Sequence, residues 1–129
     1  LLMRPLGQLI LADAVGYLHL HPAGDQTPLD EIFELLKRYD SDHGFENVDQ
    51  PTSPWWGITY DPQRQTMYMG GRKTAILLLR YLLGDDMDRE QRDQLRDQFA
   101  NLRTVLEDSY DWDGTKIADP SEVRLPPRI

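Results

Sequence analysis

The sequence contains no cysteine, which excludes disulfides, thiolate metal sites and thiol nucleophiles together and fits a reducing, cytoplasmic setting. Basic residues are scarce as well. Fourteen lysines and arginines stand against 22 acids, a net charge of −8. A protein that binds nucleic acid generally needs a basic face for the phosphates, so none is expected here; a basic protein partner is the better match to this charge. Long apolar runs are missing too. The longest, Ala75 to Leu83, is interrupted by Arg80 and is too short to cross a bilayer. The opening Leu1-Leu2-Met3-Arg4 does not have the basic-then-apolar order of a secretory signal, and no membrane association is expected.

What is present suits one ordinary domain. The 129 residues are 40% hydrophobic and 28% charged, enough apolar material for a core and unlike a disordered chain. There is no internal repeat or low-complexity segment. The pattern predicts a mainly helical α+β fold: two N-terminal helices, a central β-hairpin, a buried helix, a long amphipathic helix and an extended C-terminal tail. Residues 1–110 are expected to form the globular domain. Residues 111–129, with Pro120, Pro126 and Pro127, are read as the tail.

Over residues 6–21, Leu6, Leu9, Ile10, Ala14, Tyr17, Leu18 and His21 fit one helical face better than they fit strand alternation. Thr27-Pro28-Leu29-Asp30 opens a second helix, with Thr27 as cap, Pro28 in the first turn and acids to complement the dipole. Ile32, Phe33, Leu35 and Leu36 are its predicted buried stripe. After an irregular loop over 45–54, two short strands meet at Asp61-Pro62-Gln63-Arg64, where proline suits the second position of a type I turn. The helix over 72–83 is apolar nearly all round and belongs in the centre, with Gly84 ending it. Asp85, Asp86 and Asp88 start a long helix reaching about Ser109, whose narrow stripe is Leu95, Phe99, Leu102, Leu106 and Tyr110. Such a stripe suits one packed edge, or a homodimer seam.

Two groups of residues stand out as candidate sites. Trp55, Trp56, Tyr60 and Tyr68 lie on the predicted hairpin. Alternation along a strand puts the two tryptophans on opposite faces, so either one is an exposed partner-binding anchor or the pair covers the core from both sides. The second group is Gly70-Gly71-Arg72-Lys73-Thr74. It opens a helix inside the one cationic region of the chain, residues 64–84, where Arg64, Arg72, Lys73 and Arg80 meet no acid. It lacks the first glycine of a phosphate loop, yet a helix start with two glycines and two cations suits a small anion.

Other constellations carry less. His19 and His21 would share a face on a strand and diverge on a helix, so a metal site with His43, Asp40 and Asp42 does not follow. Ser109, Asp111, Asp113 and Gly114 resemble the start of a calcium loop, but Pro120 stands where glutamate should close it. Ser41, Ser53, Ser109 and Ser121 lie in no nucleophile elbow. No catalytic residues, metal or cofactor are therefore assigned. The leading expectation is a non-enzymatic protein-interaction module: a regulatory adaptor, an immunity or antitoxin-like protein, or a phage-type inhibitor. The alternative is an anion-binding domain or enzyme built on Gly70–Thr74.

Overall fold

A computed structural model describes residues 5–20 and 29–129. The order is α1 (Pro5–Leu20), α2 (Leu29–Ser41), β1 (Tyr60–Asp61), β2 (Thr66–Met67), α3 (Arg72–Leu82), α4 (Arg89–Leu102), β3 (Thr104–Val105), β4 (Asp108–Tyr110) and β5 (Lys116–Ile117), with 3-10 turns at Met69–Gly71 and Pro120–Glu122. This is a mainly helical α+β fold. No helix among the described residues is long and apolar enough to cross a membrane.

α3 is the central element because its sequence offers apolar side chains to every side. Ala75, Leu78, Leu79 and Leu82 are buried, and Ile76, Leu77 and Tyr81 are partly so. α1 packs along it through Ile10, Ala14 and Leu18, which is the helical spacing of its apolar residues; the predicted seventh member, His21, lies outside the described residues, as do Thr27 and Pro28. The one charge buried on α3, Arg80, places both Nε and Nη2 on Asp85 Oδ2, at 3.0 and 2.7 Å, with its guanidinium 3.4 Å from the centre of the Tyr17 ring. α3 ends in a Schellman motif. Gly84 at φ 90° donates to the Tyr81 carbonyl, and Asp85 donates to that of Arg80.

α4 starts with a full capping box, Asp88 accepting from the Gln91 amide and Gln91 reaching back; the pair satisfies two amides that helix starts otherwise leave open. Leu95, Phe99 and Ala100 form its buried side. Here the structure corrects the expected extent. The helix stops at Leu102 instead of reaching Ser109, and Leu106 lies in the turn of a hairpin (φ 56°) with 83% of its surface exposed. Thr104 and Val105 are β-branched, a type that favours strands. Thr104 pairs with Ser109 and Val105 with Asp108, and Ser109 then pairs with Ile117 to complete a three-stranded sheet.

Residues 111–129 carry β5 and a 3-10 turn and then run without regular structure along the body. Val123 is fully buried, Ile129 donates its amide to the Leu82 carbonyl, and Arg128 lies over the Tyr81 ring. Asp111 is the anchor. Its carboxylate, almost wholly buried, accepts from the amides of Trp112 and Arg124 and from two nitrogens of the Arg124 side chain.

Candidate functional site: an aromatic cleft and the outer face of α2

Arg103 organises the middle of the molecule. Its side chain is fully buried, and a guanidinium has five N–H donors. Each finds a backbone carbonyl: Nε that of Tyr110, Nη1 those of Ser53 and Trp56, Nη2 those of Pro51 and Asp111. Burial lowers its pKa to about 10, countered in part by the charges of Asp111 and Asp113, so it stays cationic at neutral pH. One side chain thereby ties the loop over 51–56 to the β4 strand and the residue after it. Nothing in the sequence pattern singles Arg103 out; an arginine at the end of a predicted polar helix face reads as solvated.

The same loop settles the position of the two tryptophans. Trp55 to Thr59 is not extended: the amides of Ile58 and Thr59 both reach the Trp55 carbonyl. The alternation of a strand therefore does not apply, and both rings turn inward, Trp55 at 0% and Trp56 at 5% exposure. Trp55 stacks on Phe45 and donates its indole N–H to the Tyr39 hydroxyl and the Gly44 carbonyl. Trp56 meets Tyr110 edge-on and lies beside the Arg103 guanidinium. Both are core residues in this arrangement, and neither ring is exposed. Tyr60, on the small hairpin, and Tyr68, just after it, are half-buried and line polar grooves of about 530 and 340 Å³. Tyr60 pairs with Met67 across the hairpin, and the turn is an Asx turn in which Asp61 accepts from the Gln63 and Arg64 amides.

The Gly70–Thr74 residues are placed with different partners. A Cβ on Gly71 would fall 1.8 Å from the Ile58 carbonyl oxygen, so the close approach this glycine permits is to the chain itself. Arg72 pairs with Asp13 at 2.7 Å, and the buried Thr74 donates to Gln98 at 2.7 Å. Gly70 and Lys73 face solvent, and an arriving anion would meet Lys73 as its one uncommitted cation from this segment.

No group of three or more histidine and acidic side chains converges among the described residues. His19 lies on α1, and His21 is outside the described residues. His43 holds Glu46 at 3.0 Å, a contact that raises its pKa first by hydrogen bonding and then by charge. In the calcium-like segment, hydrogen bonds from Thr115, first from its side chain and then from its amide, lower the pKa of Asp113, and Asp111 is committed to Arg124.

Two surface features remain. The first is a cleft of about 270 Å³ between the C-terminal end of α2, the 42–54 loop and the C-terminal segment, with Tyr39, Pro54, Trp112, Pro126 and Pro127 on its walls beside Asp42, His43 and Glu46. Burial pushes the pKa of Tyr39 up to about 12, with the Trp55 indole hydrogen bond acting the other way, so its hydroxyl stays neutral. The second corrects the expected stripe of α2. Ile32 and Leu36 are buried and Leu35 partly so, but Phe33 points outward with 54% of its surface exposed and Leu29, one turn earlier, with 37%. Four apolar positions span more of the helix circumference than a single packed edge can cover, and Phe33 is the one left over. Asp30 and Lys37, three and four positions from Phe33, share its side of the helix, Glu31 and Glu34 lie nearby, and from 29 to 49 seven acids stand against two bases.

Compared with protein-family models, with curated proteins and with solved structures, the chain matches none.

Proposed function

We propose that this chain is a small, acidic, non-enzymatic protein-interaction module, of the adaptor, immunity or inhibitor kind, that docks a basic protein through the outer face of α2. The observation that supports this reading is Phe33, a large apolar side chain more than half exposed on a helix that also exposes Asp30, Glu31 and Glu34, with Lys37 one turn further on. An aromatic anchor on a predominantly acidic surface combines contact energy with steering: the net charge accelerates encounter with an oppositely charged surface, and the anchor slows release. A second copy of the chain would bring acid against acid, which is unfavourable. A basic partner is therefore favoured over a homodimer.

The test is affinity capture from a lysate of the source, using the wild type and Phe33→Asp side by side. Because residue 33 is exposed, the variant should keep the wild-type circular dichroism and melting temperature. The reading expects a basic protein retained by the wild type, released as salt is raised, and lost with Phe33→Asp. Equal capture by both forms would sink it. A concentration-dependent dimer by sedimentation, abolished by Phe33→Asp, would assign the face to self-association instead.

A further inference from the structure

We propose that the cleft beside Trp112 receives a cationic side chain, an arginine of the protein partner. This rests on the protein-binding reading above and adds a second contact at the opposite end of α2 from Leu29.

Size narrows the occupant first. Sites for small molecules usually enclose roughly 300–1,000 Å³. This cleft, at about 270 Å³, lies at the small end of that range and has room for one extended side chain. Charge narrows it further. Among the described residues, Asp42 and Glu46 line the cleft and no lysine or arginine does, so an anion would be repelled and an apolar side chain would gain nothing from the Asp42 carboxylate. His43 is the one basic lining group, and Glu46 already holds it at 3.0 Å; even when protonated, it offsets one of the two acids. The aromatic walls favour the same occupant, because the face of a Trp or Tyr ring attracts a cation. Arginine fits better than lysine, since a planar guanidinium stacks on an indole while forking onto a carboxylate.

The walls are held by hydrogen bonds within the chain itself. The Trp55 indole holds Tyr39 and Gly44, Arg103 holds the carbonyls of Pro51 and Ser53, and the far wall is tied down where Ile129 donates to Leu82 and Arg128 to Asp85. A cleft preorganised in this way loses little binding energy to ordering.

The probe is an acetylated, amidated tri-arginine peptide, titrated into the full chain and compared with tri-citrulline, which keeps the shape and removes the charge. Amide and indole NMR signals report the position. The arginine peptide should move the Trp112 indole and the Gly44 amide, and citrulline should bind at least about tenfold more weakly, as loss of one charge-assisted contact implies. Trp112→Ala should weaken binding most, and Asp42→Asn and Glu46→Gln several-fold each. If Trp112→Ala does not fold, the two exposed carboxylate variants decide. A Trp112 indole that stays put while shifts scatter over the acidic surface, or equal binding of citrulline, would overturn the proposal. If Phe33→Asp still abolishes partner capture in that case, only the cleft assignment falls. If the Trp112 indole responds but capture is indifferent to Phe33, the α2 reading falls and a cation site remains.

Discussion

The turn at Trp55-Trp56 and the outer face of α2 carry the same kind of side chain and treat it in opposite ways. Both tryptophans are enclosed, while Phe33 is more than half exposed. Intrinsic hydrophobicity does not explain the difference. The loop at 51–56 is gathered by a polar group, the Arg103 guanidinium, which collects the carbonyls of Pro51, Ser53 and Trp56 and so curls the backbone until both indoles face inward. α2 has no comparable constraint. A regular helix spreads four apolar positions over an arc, and the core contacts only part of it. Aromatic residues thus become core where the backbone is bent around a buried hydrogen-bonding centre, and they stay outside where a regular element presents more apolar surface than the core can use.

That contrast can be broken most severely at Arg103. Arg103→Met would take a donor from five carbonyls, of which those of Ser53 and Asp111 still accept from the Trp56 and Gly114 amides; each one left unpaired costs about 1–3 kcal/mol, against a total stability of roughly 5–15 kcal/mol for a domain. The chain should be largely unfolded by circular dichroism. Arg103→Lys should rescue it poorly, because an ammonium has three donors and no planar fork; full rescue would show that charge alone matters there. Next in size is Trp55→Ala, expected to cost about 3–5 kcal/mol in urea unfolding as a large core truncation. A loss under about 1 kcal/mol would mean that the indole is not enclosed. Asp88→Ala, outside both regions, should cost about 1 kcal/mol through the α4 cap and calibrates the scale. Phe33→Ser should change stability least, within about 0.5 kcal/mol, as surface substitutions do. A cost near that of Trp55→Ala would erase the distinction between the two regions.

Periodicity and end signals carried much of the fold. The apolar circumference of α3, the acids at the start of α2, Gly84 and the Asp88 cap can all be read locally, because each depends on neighbours within a turn. Three features depended on distant residues and could not be read that way. The end of α4 at Leu102 follows from the β-branched Thr104 and Val105 and from pairing with Ser109 and Ile117. The inward turn of Trp55 and Trp56 follows from Arg103, about fifty residues later. Packing of the C-terminal segment follows from Asp111 meeting Arg124 and from Ile129 meeting Leu82. The candidate sites were read with the same local eye. Gly71 suggested room for a ligand, but that room is taken by Ile58. Phe33, assigned to a buried stripe, is more than half exposed instead.

The central claim is that the outer face of α2 meets the partner, and photocrosslinking tests it most directly. Benzoylphenylalanine would be placed at position 33 in one variant and at position 106 in another, since Leu106 is also apolar and even more exposed, at 83%, but sits alone in a hairpin turn. The account predicts a covalent adduct with a basic protein from position 33 and none from position 106. Adducts from position 106 with none from position 33 would contradict it.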